Sequence, residues 1–235
     1  MRINKYLAQM GIASRRKADE MVVQGKVMVN RKKATLGMMV DSSDEVIVDG
    51  RSQVTENLVY IMLNKPVGVV STVVDDQNRK TVVELVEIKE RIYPVGRLDT
   101  DSEGLVLLTN DGELAYRLTH PKFQVSKEYE VKVEGPITNN AITQLRKGVR
   151  VEGKKTLPAV VERMGEGKLR FIIREGRNRQ VRKMCKAVNL EVISLKRVAM
   201  GGLRLWDLGV GEWRELTGRE IQKLSPWAEA LEDSF

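Results

Sequence analysis

The chain has 235 residues, of which 42% are hydrophobic and 31% charged, and its formal net charge is +8. This composition is typical of a globular protein, and the length fits one large domain or a small domain followed by a larger one. A single cysteine, Cys185, and a single histidine, His120, exclude an internal disulfide and a metal centre built from several such ligands. These counts lead us to expect no bound metal. No apolar run is long enough to span a bilayer or to serve as a signal peptide, so we expect a cytoplasmic protein.

The positive charge is concentrated in two segments. Residues 1–35 hold nine basic and two acidic residues, residues 174–197 hold eight basic and two acidic residues, and the rest of the chain is slightly acidic. Two separate basic segments indicate a polyanion that is contacted at two places, although solvated surface charge is the alternative. Neither segment contains Trp or Phe, which disfavours binding to a membrane surface.

The first 50 residues predict two helices followed by short strands. An apolar stripe that includes Ile3 and Leu7 predicts a helix ending at Gly11, and Ser14 is the predicted N-cap of a second helix. Strands are expected at 26–30, 34–40 and 45–49, with a turn at 30–33. We expect this module to end near residue 55, with 49–57 as a linker.

The second predicted helix begins with three basic residues, Arg15, Arg16 and Lys17. Positive charge is unfavourable at a helix N-terminus, where the helix dipole is itself positive. We therefore expect an anionic partner at this helix end.

Beyond the linker, strands and helices mix without a strict alternation. Strands are expected at 60–63, 105–109, 127–134, 158–164, 168–174 and 190–199, and helices at 113–118, 138–147, 178–189 and 217–224. This order predicts an α+β domain with a mixed, largely antiparallel sheet. On the helix at 178–189, Val181, Met184 and Cys185 share one face, so Cys185 is expected to pack in the core, while Arg182 lies at the edge of that face.

A loop ahead of the predicted strand at 105–109 carries three carboxylates, Asp99, Asp101 and Glu103. Loops presented by rigid strands commonly carry catalytic groups. A calcium loop is disfavoured because the EF-hand Gly and final Glu are missing, and a glycosidase pair is disfavoured because the acids are near neighbours. A turn with solvated acids remains an alternative.

Three motifs identify a family resemblance that spans the chain from Met1 to about residue 225. The stretch from Gly96 to Pro121, the strand KEYEV and the segment REGRNRQVRKM resemble the RsuA/RluB-type pseudouridine synthases, most closely the RluB branch. The N-terminal module resembles the S4 RNA-binding domain of that family. The resemblance implies an S4-like domain at 1–56 and a pseudouridine synthase catalytic domain at 57–235.

The resemblance also implies roles for particular residues. Asp99 of the GRLD motif would be the essential catalytic residue, Tyr129 would stack on the target uracil, and Arg182 would pair with Asp99. Arg97 would contact RNA near the space that the extruded base leaves, and Arg177 and Arg179 would hold phosphates. The S4-like domain would grip RNA through a basic set: Arg2, Lys5, Arg15, Arg16, Lys17, Arg31 and Lys32. Taken alone, Tyr129 would be read as a core residue of a strand and Arg182 as an arginine on a helix surface.

The implied function is the isomerisation of a uridine in ribosomal RNA, with a stem-loop of 23S rRNA as the expected partner and a monomer as the expected state. The reaction breaks the N1–C1′ bond and joins C5 to C1′, so it needs no cofactor. It needs an ionised carboxylate, either as a nucleophile or as the base of a glycal route. The competing hypothesis is a non-catalytic RNA-binding or ribosome-assembly factor.

Overall fold

The computed structural model of the protein describes residues 1–41, 43–52 and 57–224. They form two compact units: Met1–Val59 with Ile88–Arg91 and Asn110–Gly112, and a larger unit of Tyr60–Glu87, Ile92–Thr109 and the chain from Glu113 onward. The predicted boundary at residue 56 lies outside the described residues. None of the described helices combines the length and the hydropathy needed to cross a membrane.

The first unit packs two helices on a small antiparallel sheet. The helices are α1 (Ile3–Gln9) and α2 (Arg15–Val23), and the strands are β1 (Val27–Val29), β2 (Lys32–Lys33), β3 (Val46–Val48) and β4 (Arg51–Ser52), in the order β2-β1-β3-β4. The predicted N-cap is confirmed, since Ser14 Oγ accepts a hydrogen bond from the Lys17 N–H. Ile3 and Leu7 of α1 and Ala18 and Val22 of α2 are buried in one core.

The strand expected at 34–40 is wrong. Asn30 and Arg31 both have positive φ, at 48° and 65°, which closes a two-residue hairpin. The returning strand is therefore only Lys32–Lys33, and the chain from Ala34 to Val40 contributes no more than an isolated bridge between Met39 and Arg2.

The larger unit is built on a wide twisted sheet. Its strands are β5 (Tyr60–Lys65), β6 (Tyr93–Pro94), β7 (Glu103–Thr109), β8 (Lys127–Glu134), β9 (Arg150–Val151), β10 (Lys154–Lys155), β11 (Val160–Gly165), β12 (Lys168–Ile173), β13 (Glu191–Met200), β14 (Leu203–Arg204) and β15 (Trp213–Glu215). The main path runs β11-β12-β8-β13-β7-β5-β15, while β9 and β10 form a separate hairpin. In the main sheet β13 pairs with β7 in parallel and the other pairings are antiparallel, so the predicted mixed, largely antiparallel sheet is confirmed.

Four further helices begin close to their predicted positions. They are α3 (Gly112–Thr119), α4 (Asn139–Lys147), α5 (Gln180–Lys186) and α6 (Gly218–Leu224), with 3-10 turns at Val83–Leu85 and Pro121–Phe123. Thr138 caps α4, and Thr217 and Glu220 form a reciprocal capping box on α6. Leu105 and Leu107 of β7 lie in the main core with Leu118 and Leu224, so the strand that follows the acidic loop is rigidly held.

Candidate active site

The backbone of the loop that carries Asp99 is held by hydrogen bonds on both sides of this residue. Ser71 Oγ donates to the Leu98 carbonyl at 2.9 Å and accepts from the Leu98 N–H at 3.1 Å. The Gly68 N–H donates to the Thr100 carbonyl at 2.8 Å, and the Ser102 N–H donates to the Asp99 carbonyl at 3.1 Å. The backbone of this half-buried aspartate is therefore fixed, although Asp99 lies outside any strand or helix.

Asp99 lines a cavity of about 340 Å³ together with most of the residues predicted for the site. Arg97, Tyr129, Arg177 and Arg179 line the same cavity. Tyr129 is 7% exposed and lies on β8, between β12 and β13, so two neighbouring strands fix its position. A half-buried carboxylate and an aromatic ring in one cavity of this size can enclose a single base.

The expected ion pair between Arg182 and Asp99 is wrong, because the charged partner of Arg182 is Asp101. Arg182 Nη2 donates to the Asp101 carbonyl at 2.8 Å and lies 3.4 Å from Asp101 Oδ2, while its Nη1 donates to the Val192 carbonyl at 3.1 Å. Arg182 thus ties α5 and β13 to the Asp99 loop by contacting the residue two positions beyond Asp99.

Arg179 reinforces the same contact. Its two terminal nitrogens donate to the two carboxylate oxygens of Asp101, at 3.1 and 2.7 Å. This paired hydrogen bond, together with the charge of Arg182, holds the pKa of Asp101 below its ordinary value. The pKa of Arg179 is raised, first by the hydrogen bond to Asp101 and further by the charges of Asp101 and Asp99. In the described part of the chain, no ion pair or hydrogen bond engages the Asp99 carboxylate itself, which leaves it available to a substrate.

The two other predicted arginines differ in availability. Arg177 donates from its guanidinium to Glu175 and to the carbonyls of Lys154 and Lys155, so it anchors the β9–β10 hairpin. Arg97 is exposed, and its side chain makes no hydrogen bond within the described residues. Of the two, Arg97 is the one with its donors open to an RNA phosphate.

Three cations lie near the site: Lys65 and Arg197 are buried and Lys127 is half-buried. From the sequence, Lys127 and Arg197 were assigned no role, and Lys65 was left open between a structural and an RNA-contacting role. Lys65 is fully buried, donates to the carbonyls of Pro66 and Val69, and has its pKa lowered to about 8, chiefly by burial. Burial likewise lowers the pKa of Lys127 to about 8, with a further contribution from the charge of Arg197. Arg197 is 2% exposed. The signal for Lys127 was its position two residues before Tyr129, which places both side chains on one face of a strand.

The described residues contain no cluster of His, Cys, Asp or Glu suited to a metal ion. Cys185 is buried in α5, as expected, and burial raises the pKa of its thiol to about 12. A protonated, enclosed thiol is a packing group and not a nucleophile.

The fold and the cavity agree with comparisons to known proteins. The S4 domain model matches residues 1–46, and the model described as RNA pseudouridylate synthase matches residues 59–187. The chain therefore belongs to the RNA pseudouridylate synthase family, with an S4 domain at its N-terminus, and its enzymatic class is that of an isomerase.

Individual relatives support the RsuA/RluB-type branch. The chain is 44% identical to the ribosomal large subunit pseudouridine synthase B of Bacillus subtilis (strain 168), covering 100% of this chain and 99% of the relative. It is 40% identical to the dual-specificity RNA pseudouridine synthase RluF of Escherichia coli (strain K12), covering 94% of this chain and 77% of the relative. A crystal structure of a pseudouridylate synthase superimposes with a TM-score of 0.70 at 31% identity, covering 95% of this chain and 99% of that chain. The family resemblance and the fold predicted from the sequence are confirmed.

Proposed function

We propose that this protein converts one uridine of large-subunit ribosomal RNA, in a stem-loop of the 23S molecule, into pseudouridine. The full-length match to a relative that bears the name of a large-subunit enzyme supports this choice of substrate. The two basic segments also support it, because phosphate contacts supply affinity without reading the sequence. We further propose that the protein acts in the cytoplasm and as a monomer. The match to a bacterial enzyme that is named for the large ribosomal subunit supports the cytoplasmic location.

The two domains have separate proposed roles. Residues 1–56 bind an RNA stem near the target uridine, and residues 57–235 catalyse the reaction. The side chains proposed to bind RNA lie on α1, α2 and the β1–β2 hairpin or next to them: Arg2, Lys5, Arg15, Arg16, Lys17, Arg31 and Lys32. All of them are exposed except Lys5, which is half-buried. Binding at this set offsets the few kcal/mol that extruding a base from its stack costs.

In the catalytic domain, the Asp99 carboxylate attacks C1′ or takes the 2′ proton, and Tyr129 holds the freed uracil by stacking. The observation that carries this proposal is the presence of both side chains in one cavity, with the Asp99 carboxylate unengaged. Arg97 contacts the RNA backbone beside the extruded nucleotide. Arg182 and Arg179 act as positioning residues, because their contacts to Asp101 hold the loop on which Asp99 lies.

The test is a map of pseudouridine in ribosomal RNA from cells that lack the gene. We expect one large-subunit site to remain uridine, to be restored by the wild-type gene, and to stay unmodified with Asp99→Asn. If Asp99→Asn restores the modification, the proposed chemistry is wrong. If all sites are modified in the deletion strain, a non-catalytic assembly factor becomes the better account.

A further inference from the structure

Two cations, the buried Arg197 and the half-buried Lys127, lie beside Tyr129 on the same face of the sheet. Arg197 of β13 is the direct cross-strand partner of Tyr129 on β8, and Lys127 precedes Tyr129 by two residues on β8. Opposite residues of paired strands, and residues two apart on one strand, project from the same face. Lys127, Tyr129 and Arg197 accordingly line the cavity that contains Asp99.

The positive charge of this pair is not compensated within the described residues. Arg197 donates from Nε to the Leu105 carbonyl at 2.7 Å, while its buried Nη2 has no hydrogen-bond partner. Lys127 Nζ donates to the Val125 carbonyl at 3.1 Å. No carboxylate forms an ion pair with either side chain in the described part of the chain. A buried cation without a counter-ion is costly, and a buried donor without a hydrogen-bond partner adds to that cost.

An anion bound in the cavity would relieve this cost, and the reaction supplies one there. When the N1–C1′ bond breaks, its electron pair stays with the uracil and is shared among N1, O2 and O4. This holds whether Asp99 forms a bond to C1′ or removes the 2′ proton. The uracil then turns, and its electron pair forms the C5–C1′ bond. On the nucleophilic route the Asp99–C1′ bond breaks in this step, and on the glycal route Asp99 returns the proton to C2′. C5 then loses its proton and N1 gains one, so Asp99 is regenerated and the product is an isomer.

We propose that Arg197 and Lys127 form a binding site for the uracil anion and stabilise it between cleavage of N1–C1′ and formation of C5–C1′. The inference rests on the proposed function, because it takes the Asp99 cavity as the base pocket. The burial of Arg197 indicates that the ligand is a base and not a phosphate. Arg197 is 2% exposed and lies beside Tyr129, which is 7% exposed, and a flat base reaches such a position more readily than a phosphodiester that continues in both directions.

The two side chains divide this role. The hydrogen bond from Nε to the Leu105 carbonyl fixes the Arg197 guanidinium plane, so it supplies a preorganised donor. Lys127 has rotatable donors on a flexible stem and can follow the base as it turns. A fixed and a mobile cation together keep the anion bound in both of its orientations.

The test compares Lys127→Met, Lys127→Arg and Arg197→Lys with Lys168→Met, an exposed control on β12. Single-turnover rates and RNA dissociation constants are measured with a uridine substrate and with the same RNA carrying 5-fluorouridine at the target. Fluorine withdraws electrons and stabilises the uracil anion without help from the protein. Nucleoside analysis of digested RNA measures consumption of the target nucleotide.

Loss of one anion-stabilising donor commonly lowers a rate by a factor of about 10²–10³. We therefore expect Lys127→Met to lower the single-turnover rate on uridine by about 100-fold and to leave the RNA dissociation constant unchanged. On 5-fluorouridine the loss should shrink to about 10-fold or less, and Lys127→Arg should keep most of the activity on both substrates. Arg197→Lys should lower the rate on uridine by a smaller factor, and this loss of rate should also shrink on 5-fluorouridine. Lys168→Met should match the wild type, and thermal unfolding checks that each variant is folded.

Three results would overturn the inference. An equal loss on both substrates would indicate misplacement of the base, and weaker RNA binding with a retained rate would indicate a phosphate contact. An unaffected Lys127→Met would show that the charge is not used. The wild type and Asp99→Asn are measured in parallel. A wild type that forms no pseudouridine would refute the proposed function itself, and an active Asp99→Asn would refute the role of Asp99. An active wild type and an inactive Asp99→Asn beside a fully active Lys127→Met would refute only the anion site.

Discussion

The Ser71 hydroxyl is a small group on which the position of Asp99 depends. It bonds both backbone polar groups of Leu98, the residue before Asp99, and Ser71 is 8% exposed. Ser71→Ala removes two hydrogen bonds worth about 1 kcal/mol each and leaves a buried N–H and a buried carbonyl without partners. We therefore expect the free energy of unfolding to fall by about 2–4 kcal/mol.

The effect on catalysis should exceed the effect on binding. A shift of about 1 Å in a reacting group costs about 10²-fold in rate, because the proximity of the reacting atoms is lost. Ser71→Ala should therefore lower the single-turnover rate of pseudouridine formation by about that factor and leave the RNA dissociation constant unchanged. Ser71→Thr keeps the hydroxyl and should recover most of the rate.

Thr72→Val is the matched control, because the Thr72 hydroxyl donates to the Val74 carbonyl and not to the backbone of the Asp99 loop. The assays are single-turnover kinetics, RNA binding and urea unfolding of the full chain. A wild-type rate in Ser71→Ala, or an equal loss in Thr72→Val, would refute the idea that this hydroxyl positions Asp99.

Three further predictions concern packing and ionisation. Gly104→Ala should lower the free energy of unfolding, measured in urea, by at least about 3 kcal/mol. Gly104 has a φ of 113°, and an added Cβ would lie 2.3 Å from the Arg197 carbonyl oxygen. A variant as stable as the wild type would contradict this packing. Cys185, with its pKa raised to about 12, should resist iodoacetamide in the native protein and react after unfolding, as measured by mass spectrometry. The hydrogen bonds from Arg214 hold the pKa of Glu220 at about 2. The pair therefore stabilises the fold fully at pH values above the ordinary Glu pKa of about 4.3, and this stabilisation is lost as the pH falls towards 2. Glu220→Gln should remove that part of the acid dependence in urea titrations, and an unchanged pH profile would contradict it.

Features that depend on neighbouring residues were predictable from the sequence. The Ser14 cap and the Thr217–Glu220 capping box act within one helical turn, and both are present as expected. The strand expected at 34–40 fails for an equally local reason, because the turn at Asn30 and Arg31 ends the hairpin early. The pairing of β13 with β7 and β8 joins residues far apart in the chain, and no local pattern specifies it.

The candidate site was predictable in its composition and not in its contacts. The motifs identified Asp99 and Tyr129, and the structure places both in one cavity. The partner of Arg182 was wrong because Asp99 and Asp101 are two residues apart on one loop, and only the packing of α5 against that loop selects between them. The burial of Arg197 was not predictable, because basic residues usually lie at the surface and its environment arises from three paired strands.

The most direct test of the account compares Asp99→Asn with Asp101→Asn, using RNA labelled with tritium at C5 of the target uridine. Formation of the C5–C1′ bond releases this label, so tritium release reports the chemical step. We expect Asp99→Asn to bind RNA as the wild type does and to release no tritium, while Asp101→Asn, which weakens only the support of the loop, keeps part of the activity. Tritium release from Asp99→Asn at a rate close to that of the wild type would contradict the central claim.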